Sequence, residues 1–309
     1  MKSREIPKDF LETIEEKRPT IQKSYCDFII KKKAENCTDY TIRYYDVGVE
    51  KLLSRYDVKY VDELTQERVS QITVSEKEAN PSNSIRTLNT KLMALRTFIY
   101  YCQEKELLPK YKIKLLKSQE APKETYTNEE LKILIKKPKT LKWTEWRTWA
   151  VVNYLISTGN RASSILNIKI RDIDFSNRII TLTHTKNKKS QIVPLSESML
   201  EVLDIYLKTF EWTEDDYLFP TTDGHILNYS SLRNDIAHYN KKRGVSKTSI
   251  HLFRHTFAKN YLLAGGSVTQ LQHLLGHAKP TMSLHYAQIF GIEEVTTNYD
   301  KLNPLNQLL

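Results

Sequence analysis

The sequence predicts a mainly α-helical protein, with an N-terminal helical bundle followed by a mostly helical domain that contains a small three-stranded antiparallel β-sheet. Apolar residues recur at helical spacing between residues 20 and 106, which indicates a bundle of amphipathic helices. A basic segment with two prolines, residues 109–124, then interrupts this pattern. Between residues 171 and 195 the pattern changes to alternating and β-branched residues, which is typical of strands.

Length and composition argue against a membrane protein and favour a polyanionic partner. The 309 residues suffice for about two domains, and 40% of them are hydrophobic. No apolar run approaches the roughly 18 residues of a membrane span, and the N-terminus lacks an apolar signal region, so we expect a cytoplasmic protein without membrane contact. Cys26, Cys37 and Cys102 are widely spaced, which predicts reduced thiols. The net charge of +10 favours a polyanion.

Residues 1–108 are predicted to form the first domain, with residues 1–19 as a lead-in. Apolar stripes predict four or five helices in this domain, among them Thr20–Lys33, Thr38–Ser54, Gln66–Ile72 and Ser84–Glu106. The polar face of the last helix carries three cations, which are either solvated charges or phosphate contacts: Arg86, Lys91 and Arg96. The sequence therefore predicts an independent helical domain.

Residues 109–124 are predicted to be a basic linker between two domains. They carry five lysines, so the segment either lies along a nucleic-acid backbone or is merely solvated. The second domain is predicted at residues 125–309. It begins with a capping box in which Thr127 is the N-cap and Glu130 the third helical residue.

An arginine stands at an unusual place early in the second domain. A helix predicted near Thr144–Ser157 ends at Gly159, and Asn160-Arg161 opens the next helix. The positive end of a helix dipole disfavours a cation at that position. A phosphate would be bound by the guanidinium and by the free N–H groups together, so Arg161 is a candidate anion-binding residue.

Three strands are predicted after this arginine, at residues 171–175, 178–185 and 191–195. The second and third strands join through the segment Lys186-Asn187-Lys188-Lys189. A lysine in such a hairpin can reach into a nucleic-acid groove and donate a proton, or all three lysines are solvated turn charges. Helices resume at Glu197–Thr209 and Tyr229–Arg243.

Chemically active side chains are concentrated in residues 250–286, which predict three short helices. His251 and Arg254 lie one turn apart on the first of these helices. His277 lies just past the end of the second helix, and Tyr286 lies on the third. Cations, imidazoles and a phenol brought together in this way suit an anionic substrate that is attacked by an oxygen nucleophile.

Histidine spacing also admits a zinc site. The pairs His251/His255 and His273/His277 are each spaced four residues apart, as zinc ligands on a helix are. Arg254 beside the first pair would repel a metal cation, and the glycine before His277 breaks the helix of the second pair. A zinc-dependent enzyme is therefore the minor alternative.

The C-terminal residues resemble a known family. The string HLFRHTFA at 251–258, LLGHA at 274–278 and then Tyr286 resemble, in order and spacing, the C-terminal signature of the tyrosine recombinases, the phage integrase family. Upstream, residues 158–161 (TGNR) resemble its first-arginine motif. Thr185-Lys186, followed by IVPL at 192–195, resembles the hairpin that holds its catalytic lysine. The helical N-terminal half resembles the family's core DNA-binding domain.

The resemblance implies six catalytic residues, whose roles are a phosphate-gripping arginine pair, an acid lysine, two histidines and a nucleophile: Arg161, Arg254, Lys186, His251, His277 and Tyr286. Lys188 remains an alternative to Lys186. Two positions depart from the family pattern, because Asn160 replaces an apolar residue and Ser164 stands where a carboxylate is common. The missing carboxylate bears on how well the pocket is ordered.

The activity implied by the resemblance is site-specific cleavage and rejoining of double-stranded DNA through a 3′-phosphotyrosine intermediate. No metal or other cofactor is expected, since the sequence has neither a phosphate-binding GxxxxGK[ST] loop nor a carboxylate cluster suited to Mg²⁺. The resemblance also implies a homotetramer on DNA, assembled through the apolar tail at 287–309, and an accessory directionality factor. The alternatives are a non-cleaving DNA-binding protein of the same fold and a type IB topoisomerase.

Overall fold

A computed structural model of the chain describes residues 18–117, 124–183, 190–277 and 280–290. Within these ranges, no helix is both long and apolar enough to cross a membrane. The chain divides into two compact units, Met1–Glu120 and Ala121–Leu309. The mainly helical fold with one three-stranded antiparallel sheet confirms the predicted fold class.

The first unit is built from helices that enclose one apolar core. The helices are α1 (Ile21–Ala34), α2 (Asp39–Tyr45), α3 (Lys51–Arg55), α4 (Gln66–Ala79) and α5 (Ile85–Glu104). Ser or Thr side chains cap the starts of α1, α2, α4 and α5, because each accepts a backbone N–H three residues further on. The core contains these completely buried side chains: Phe28, Val49, Leu53, Leu64, Leu95, Phe98 and Ile99.

The helix predicted at 38–54 contains a π-helical turn, Asp46–Glu50, between α2 and α3. Gly48 lies in this turn, and a Cβ there would come 2.4 Å from the Cβ of Ala94 in α5. Since real Cβ atoms do not approach that closely, only glycine allows this contact between the two backbones. The apolar spacing predicted a regular helix, because spacing within one segment carries no information about close contacts with another helix.

Helix α4 extends seven residues beyond the predicted end at Ile72. Its second half contains Glu76, whose side chain is 2% exposed and lies 2.5 Å from both Arg55 and Lys91. Burial alone would raise the pKa of Glu76, but hydrogen bonds from the two cations and their charges lower it overall. The second half of α4 is therefore packed through a buried ion-pair cluster. Charged residues of this kind are expected at the surface when only the sequence is known, so the prediction ended the helix too early.

The described part of the predicted linker, residues 109–117, lies against the first unit. The side chain of Gln103 donates to the carbonyls of Pro109 and Tyr111, at 3.1 Å each. The side-chain amide of Asn89 exchanges two hydrogen bonds of 2.9 Å with the backbone of Leu116. These contacts attach the segment to α5.

The second unit consists of helices around a small sheet. Its helices are α6 (Asn128–Leu134), α7 (Trp143–Thr158), α8 (Ala162–Ile165), α9 (Glu197–Leu207), α10 (Tyr229–Lys242), α11 (Ile250–Leu263), α12 (Val268–Leu275) and α13 (residues 281–290). Helix α7 is central, because it packs against α9, α10 and α11. The C-terminal turn of α7 is therefore surrounded by other helices of this unit.

The sheet has the strand order β1 (Ile173–Asp174), β2 (Ile179–Leu182), β3 (Gln191–Pro194), and both pairings are antiparallel. Ile180 in β2 is completely buried and lies opposite Ile173 on one side and Val193 on the other. Residues 184–189, which include both candidate lysines of the predicted hairpin, lie outside the described residues.

Candidate active site

Two helix C-termini define the candidate site. Helix α7 is followed by Gly159 and α12 by Gly276, with φ values of 61° and 60°. This left-handed conformation favours glycine and ends a helix abruptly, leaving the last carbonyl groups without helical partners. Those carbonyls form a set of hydrogen-bond acceptors at the negative ends of two helix dipoles.

Arg254 connects these two helix ends. It lies in the first half of α11, is 6% exposed, and donates to the carbonyl of Gly159 at 3.0 Å and to that of Leu275 at 2.9 Å. Arg161, the N-cap of α8, donates to the carbonyl of Gly276 at 3.3 Å. Backbone carbonyls therefore hold both guanidiniums in one place.

The arginine pair is electrostatically costly in the absence of an anion. Burial, followed by repulsion from Arg161, lowers the pKa of Arg254 to about 10. Burial also lowers the pKa of Arg161, whereas the phenol of Tyr286 opposes that shift. Within the described ranges, no ion pair joins either guanidinium to a carboxylate. An arriving phosphate would supply the missing negative charge.

The two departures from the family pattern occupy buried positions beside Arg161. The side-chain amide of Asn160 donates to the hydroxyl of Tyr154 at 3.1 Å, so it belongs to the packing of α7. Ser164 is 6% exposed, and its backbone N–H donates to the carbonyl of Arg161 at 2.9 Å. Ordering of the arginine pair comes from the helix-end carbonyls instead of from a carboxylate.

Tyr286 lies on α13 and is 5% exposed. Its hydroxyl oxygen is 2.7 Å from Nδ1 of His255, and its ring is nearly parallel to the ring of His277, at 6° and a centroid distance of 6.2 Å. Burial raises the pKa of Tyr286, while the charges of Arg254 and Arg161 act to lower it. The phenol is therefore protonated at rest, and ionises more readily because of the arginines.

His277 is fixed from two sides. Its Nδ1 is 2.7 Å from the hydroxyl of Ser283, and its backbone N–H donates to the carbonyl of Gln272 at 3.0 Å. Ser283 belongs to α13 and is completely buried. This contact joins the end of α12 to the helix that carries Tyr286, and the hydrogen bond at Nδ1 leaves Nε2 as the other polar atom of the ring.

His251 is the second residue of α11 and is exposed. Partial desolvation and then the charges of Arg254 and Arg161 lower its pKa, so the ring is neutral near pH 7 and can accept a proton. The structure thus brings His251, Arg254 and Arg161 into one electrostatic environment. The sixth predicted residue, Lys186, lies outside the described residues.

Sequence reasoning missed three residues at this site. The spacing of His255 suggests a zinc ligand, whereas in the structure it contacts the Tyr286 hydroxyl. No motif indicates Ser283 or Gln191 of β3, whose side-chain amide donates to the carbonyl of Leu274 at 2.7 Å. Only the position of His255 within HLFRHTFA offered a signal. The other two contacts depend on how distant segments fold together.

The histidines do not gather as the zinc alternative requires. Over the described parts of the chain, no group of three or more His, Cys, Asp or Glu side chains is placed to hold a metal ion. The Nδ1 atoms of His255 and His277 instead face the hydroxyls of Tyr286 and Ser283.

The model of the phage integrase family matches residues 124–291, which is more than half of the 309 residues. The chain belongs to the phage integrase family. This confirms the predicted membership and, with it, the prediction that the chain is a tyrosine recombinase. The match lies in the second compact unit, and it includes all six predicted catalytic residues.

Curated relatives of this integrase-family chain are tyrosine recombinases. The XerC tyrosine recombinase of Thermodesulfovibrio yellowstonii is 28% identical over 233 residues, which cover 72% of this chain and 77% of the relative. The XerC of Chlamydia muridarum is 27% identical, with 69% and 70% covered. A tyrosine recombinase of Pseudothermotoga lettingae is 24% identical, with 93% and 98% covered.

Solved structures of integrases and recombinases share the fold. The Tn1549 transposon integrase in complex with transposon right-end DNA superimposes with a TM-score of 0.73 at 20% identity, covering 86% of this chain and 94% of that one. A lambda integrase tetramer bound to a Holliday junction gives 0.70 at 16% identity, covering 87% and 78%. The XerH recombinase in a post-cleavage complex with difH gives 0.68 at 22% identity, covering 87% and 82%.

The close packing at the end of α7 gives a stability prediction. A Cβ on Gly159 would come 2.5 Å from Cδ1 of Phe257, whereas a Cβ on Gly224, which has φ of 77°, meets no atom within 4 Å. Gly224→Ala should cost about 1 to 2 kcal/mol of unfolding free energy through backbone strain alone. Gly159→Ala should cost about 1 to 3 kcal/mol more, because the added methyl overpacks the core.

Chemical denaturation of the two variants measures the difference. The Gly159→Ala variant should also lose strand cleavage, because the carbonyl that holds Arg254 moves, while Gly224→Ala keeps it. Equal destabilisation by the two substitutions would mean that the contact between Gly159 and Phe257 is not tight.

Proposed function

We propose that this recombinase cleaves and rejoins double-stranded DNA at a specific site through a 3′-phosphotyrosine intermediate, without a metal ion. The observation that carries the proposal is the combination of Arg161, Arg254 and the Tyr286 hydroxyl in one partly buried environment. Two unneutralised guanidiniums beside a phenol form a site that is complete only with a phosphate. The phosphodiester of DNA has the matching charge and geometry.

In the proposed reaction, the Tyr286 oxygen attacks the scissile phosphorus in line and the 5′ oxygen leaves. Negative charge grows on the non-bridging oxygens in the transition state. Arg161 and Arg254 bind those oxygens, and His277 adds a further hydrogen bond from Nε2. Because backbone carbonyls already orient Arg254, this stabilisation needs little reorganisation during the reaction.

Two proton transfers accompany this attack. The raised pKa of Tyr286 means that the phenol must lose its proton to a base, and the family resemblance assigns that role to His251. The leaving 5′ oxygen must gain a proton, for which Lys186, or Lys188 in its place, is the proposed acid. The phosphotyrosine linkage keeps the energy of the original ester, so rejoining by the reverse reaction needs no ATP.

Electrostatics support a metal-independent reaction. The groups that surround the Tyr286 hydroxyl among the described residues are cations and imidazoles, and burial followed by repulsion from the arginine pair lowers the pKa of His251. A divalent cation would add to that repulsion, whereas the arginines supply the same charge stabilisation themselves. The expected absence of a metal cofactor is thus part of the proposal.

Double-stranded DNA is the proposed substrate for both units, with the first unit as the core DNA-binding domain. Three findings support this: the net charge of +10, the family membership, and the DNA complexes of the Tn1549 integrase and XerH. Among the α5 cations, Lys91 is paired with Glu76, which leaves Arg86 and Arg96 as the candidates for phosphate contacts. The cytoplasmic location stays a prediction.

A non-cleaving DNA-binding protein of the same fold is the second candidate. It would need the fold and the net charge but not a hydroxyl held beside two arginines. A type IB topoisomerase would share this chemistry and differ in acting without a defined site. The first experiment below separates cleavage from binding, and the cleaved sequences separate a recombinase from a topoisomerase.

The nucleophile is tested with nicked suicide substrates taken from DNA that flanks the gene. Wild-type protein should form a covalent adduct that persists in excess EDTA, because the arginines replace a metal. Tyr286→Phe should form none and should bind the same DNA, while Tyr261→Phe, on α11, should form the adduct normally. Tight binding by the wild type without any adduct would favour the non-cleaving protein.

The C-terminal tail at 287–309 is proposed to join protomers into a tetramer on DNA, and an accessory directionality factor remains a prediction. Truncation after residue 292 removes Leu302, Leu305, Leu308 and Leu309 but keeps Tyr286 and all described residues of α13. The truncated protein should cleave a single site yet fail to form the synaptic complex in sedimentation or gel-shift experiments. Intact assembly would contradict the role of the tail.

A further inference from the structure

Tyr286 has a neighbour to which the resemblance gives no role. Nδ1 of His255 lies 2.7 Å from the Tyr286 hydroxyl oxygen, which is a short hydrogen-bond distance. The two rings are tilted by 53°, with centroids 5.6 Å apart. The contact is therefore made between the ring nitrogen and the hydroxyl and not by parallel stacking.

We infer that His255 accepts the Tyr286 proton as the hydroxyl attacks the phosphate. This inference rests on the proposed cleavage by Tyr286 and replaces His251 in that one step. The O–H bond of Tyr286 breaks, its proton forms an N–H bond at Nδ1 of His255, and its electron pair forms the bond to phosphorus. The bond to the 5′ oxygen breaks, and that oxygen takes its proton from Lys186 or Lys188. Rejoining reverses each transfer.

The position of His255 on its helix suits this role. Arg254 precedes it directly and is attached to two carbonyls, so the backbone of this turn is held in place. Successive helical residues point about 100° apart, so Arg254 and His255 present different faces of α11. One turn thereby supplies a phosphate-binding cation and a proton acceptor for the nucleophile.

The charged groups around Tyr286 explain why its proton would be transferred to His255 only after DNA has bound. The charges of Arg254 and Arg161 act to lower the pKa of Tyr286, and the ring of His277 lies parallel to the Tyr286 ring. Lys259 of α11 lies 5.8 Å from the ring of Phe290, which is on α13 with Tyr286. A second positive charge on His255 is unfavourable among these cations. The negative charge of a bound phosphate removes that penalty and stabilises the imidazolium.

His251 then has a different task. It lies one turn earlier on α11, is exposed, and responds to the same two arginines. It is available to hydrogen-bond the phosphate, while the proton of the phenol goes to His255, whose Nδ1 contacts the hydroxyl. Two histidines four residues apart are thereby explained without a metal ion.

The test is single-turnover cleavage of a suicide substrate whose scissile 5′ oxygen is replaced by sulfur. A thiolate leaves without a proton donor, so the rate reports activation of the nucleophile. His255→Ala should cleave about 100-fold more slowly at pH 7, within the usual range for loss of a general base. The deficit should shrink as the pH rises towards the pKa of Tyr286, which burial raises above its ordinary value of about 10, because a growing fraction of the phenol then ionises without a base.

His255→Asn provides the discriminating variant. Its side-chain oxygen can accept the hydrogen bond near the position of Nδ1, but it cannot take the proton at neutral pH. It should therefore be about as slow as His255→Ala. His238→Ala, which removes an exposed histidine on α10, should match the wild type. Lys186→Ala or Lys188→Ala, whichever removes the acid, should cleave the substrate with a 5′ oxygen slowly and should regain the wild-type rate on the substrate with a 5′ sulfur.

Three outcomes would overturn the inference: wild-type rates for His255→Ala at every pH, a deficit that does not change with pH, or full activity of His255→Asn. Unfolding midpoints of the variants show whether any loss comes from misfolding. The proposed function fails separately, if the wild type forms no adduct or if Tyr286→Phe still forms one. An adduct from the wild type together with fast cleavage by His255→Asn rejects only the role of His255.

Discussion

The rest of the site depends on the way Arg254 joins the C-terminal ends of α7 and α12. Each helix stops at a left-handed glycine, and each leaves a carbonyl within 3.0 Å of a terminal nitrogen of this arginine. The negative ends of two helix dipoles thereby compensate a buried cation. A carboxylate in the same place would neutralise the charge of Arg254 more fully, and the arginine would then attract a phosphate less strongly.

The helix-end carbonyls compensate the positive charge of the arginines only in part, and this favours the binding of a phosphate. Burial lowers the pKa of both Arg254 and Arg161, and repulsion from Arg161 lowers that of Arg254 further, so the charged forms are costly. Since the charged forms are the ones that bind a phosphate, a phosphodiester that enters the site relieves this cost. The same cations oppose the effect of burial on the Tyr286 hydroxyl. Binding and activation of the nucleophile therefore depend on the same charges.

The sequence predicted the general fold and most of the residues that meet at the site. Helical spacing, the change of period at the sheet and the glycine stops were sufficient for the architecture. Features that depend on contacts between distant segments were not accessible in this way. Glu76 looks like a surface residue until its partners are known, and the hydrogen bond between His255 and Tyr286 joins residues 31 positions apart. The resemblance raised the question of what orders the pocket without a carboxylate at Ser164, and the helix-end carbonyls answer it.

The central claim is that the two arginines act by neutralising the charge of the scissile phosphate. It is tested most directly by comparing a phosphodiester substrate with a methylphosphonate, in which one non-bridging oxygen is replaced by an uncharged methyl group. On the phosphodiester, Arg161→Ala and Arg254→Ala should each cleave at least about 100-fold more slowly than the wild type. Arg233→Ala, at an exposed position on α10, should not be slower. On the methylphosphonate, the deficits of the first two should fall below about tenfold, because less charge remains to be neutralised. Equal deficits on both substrates would contradict the account.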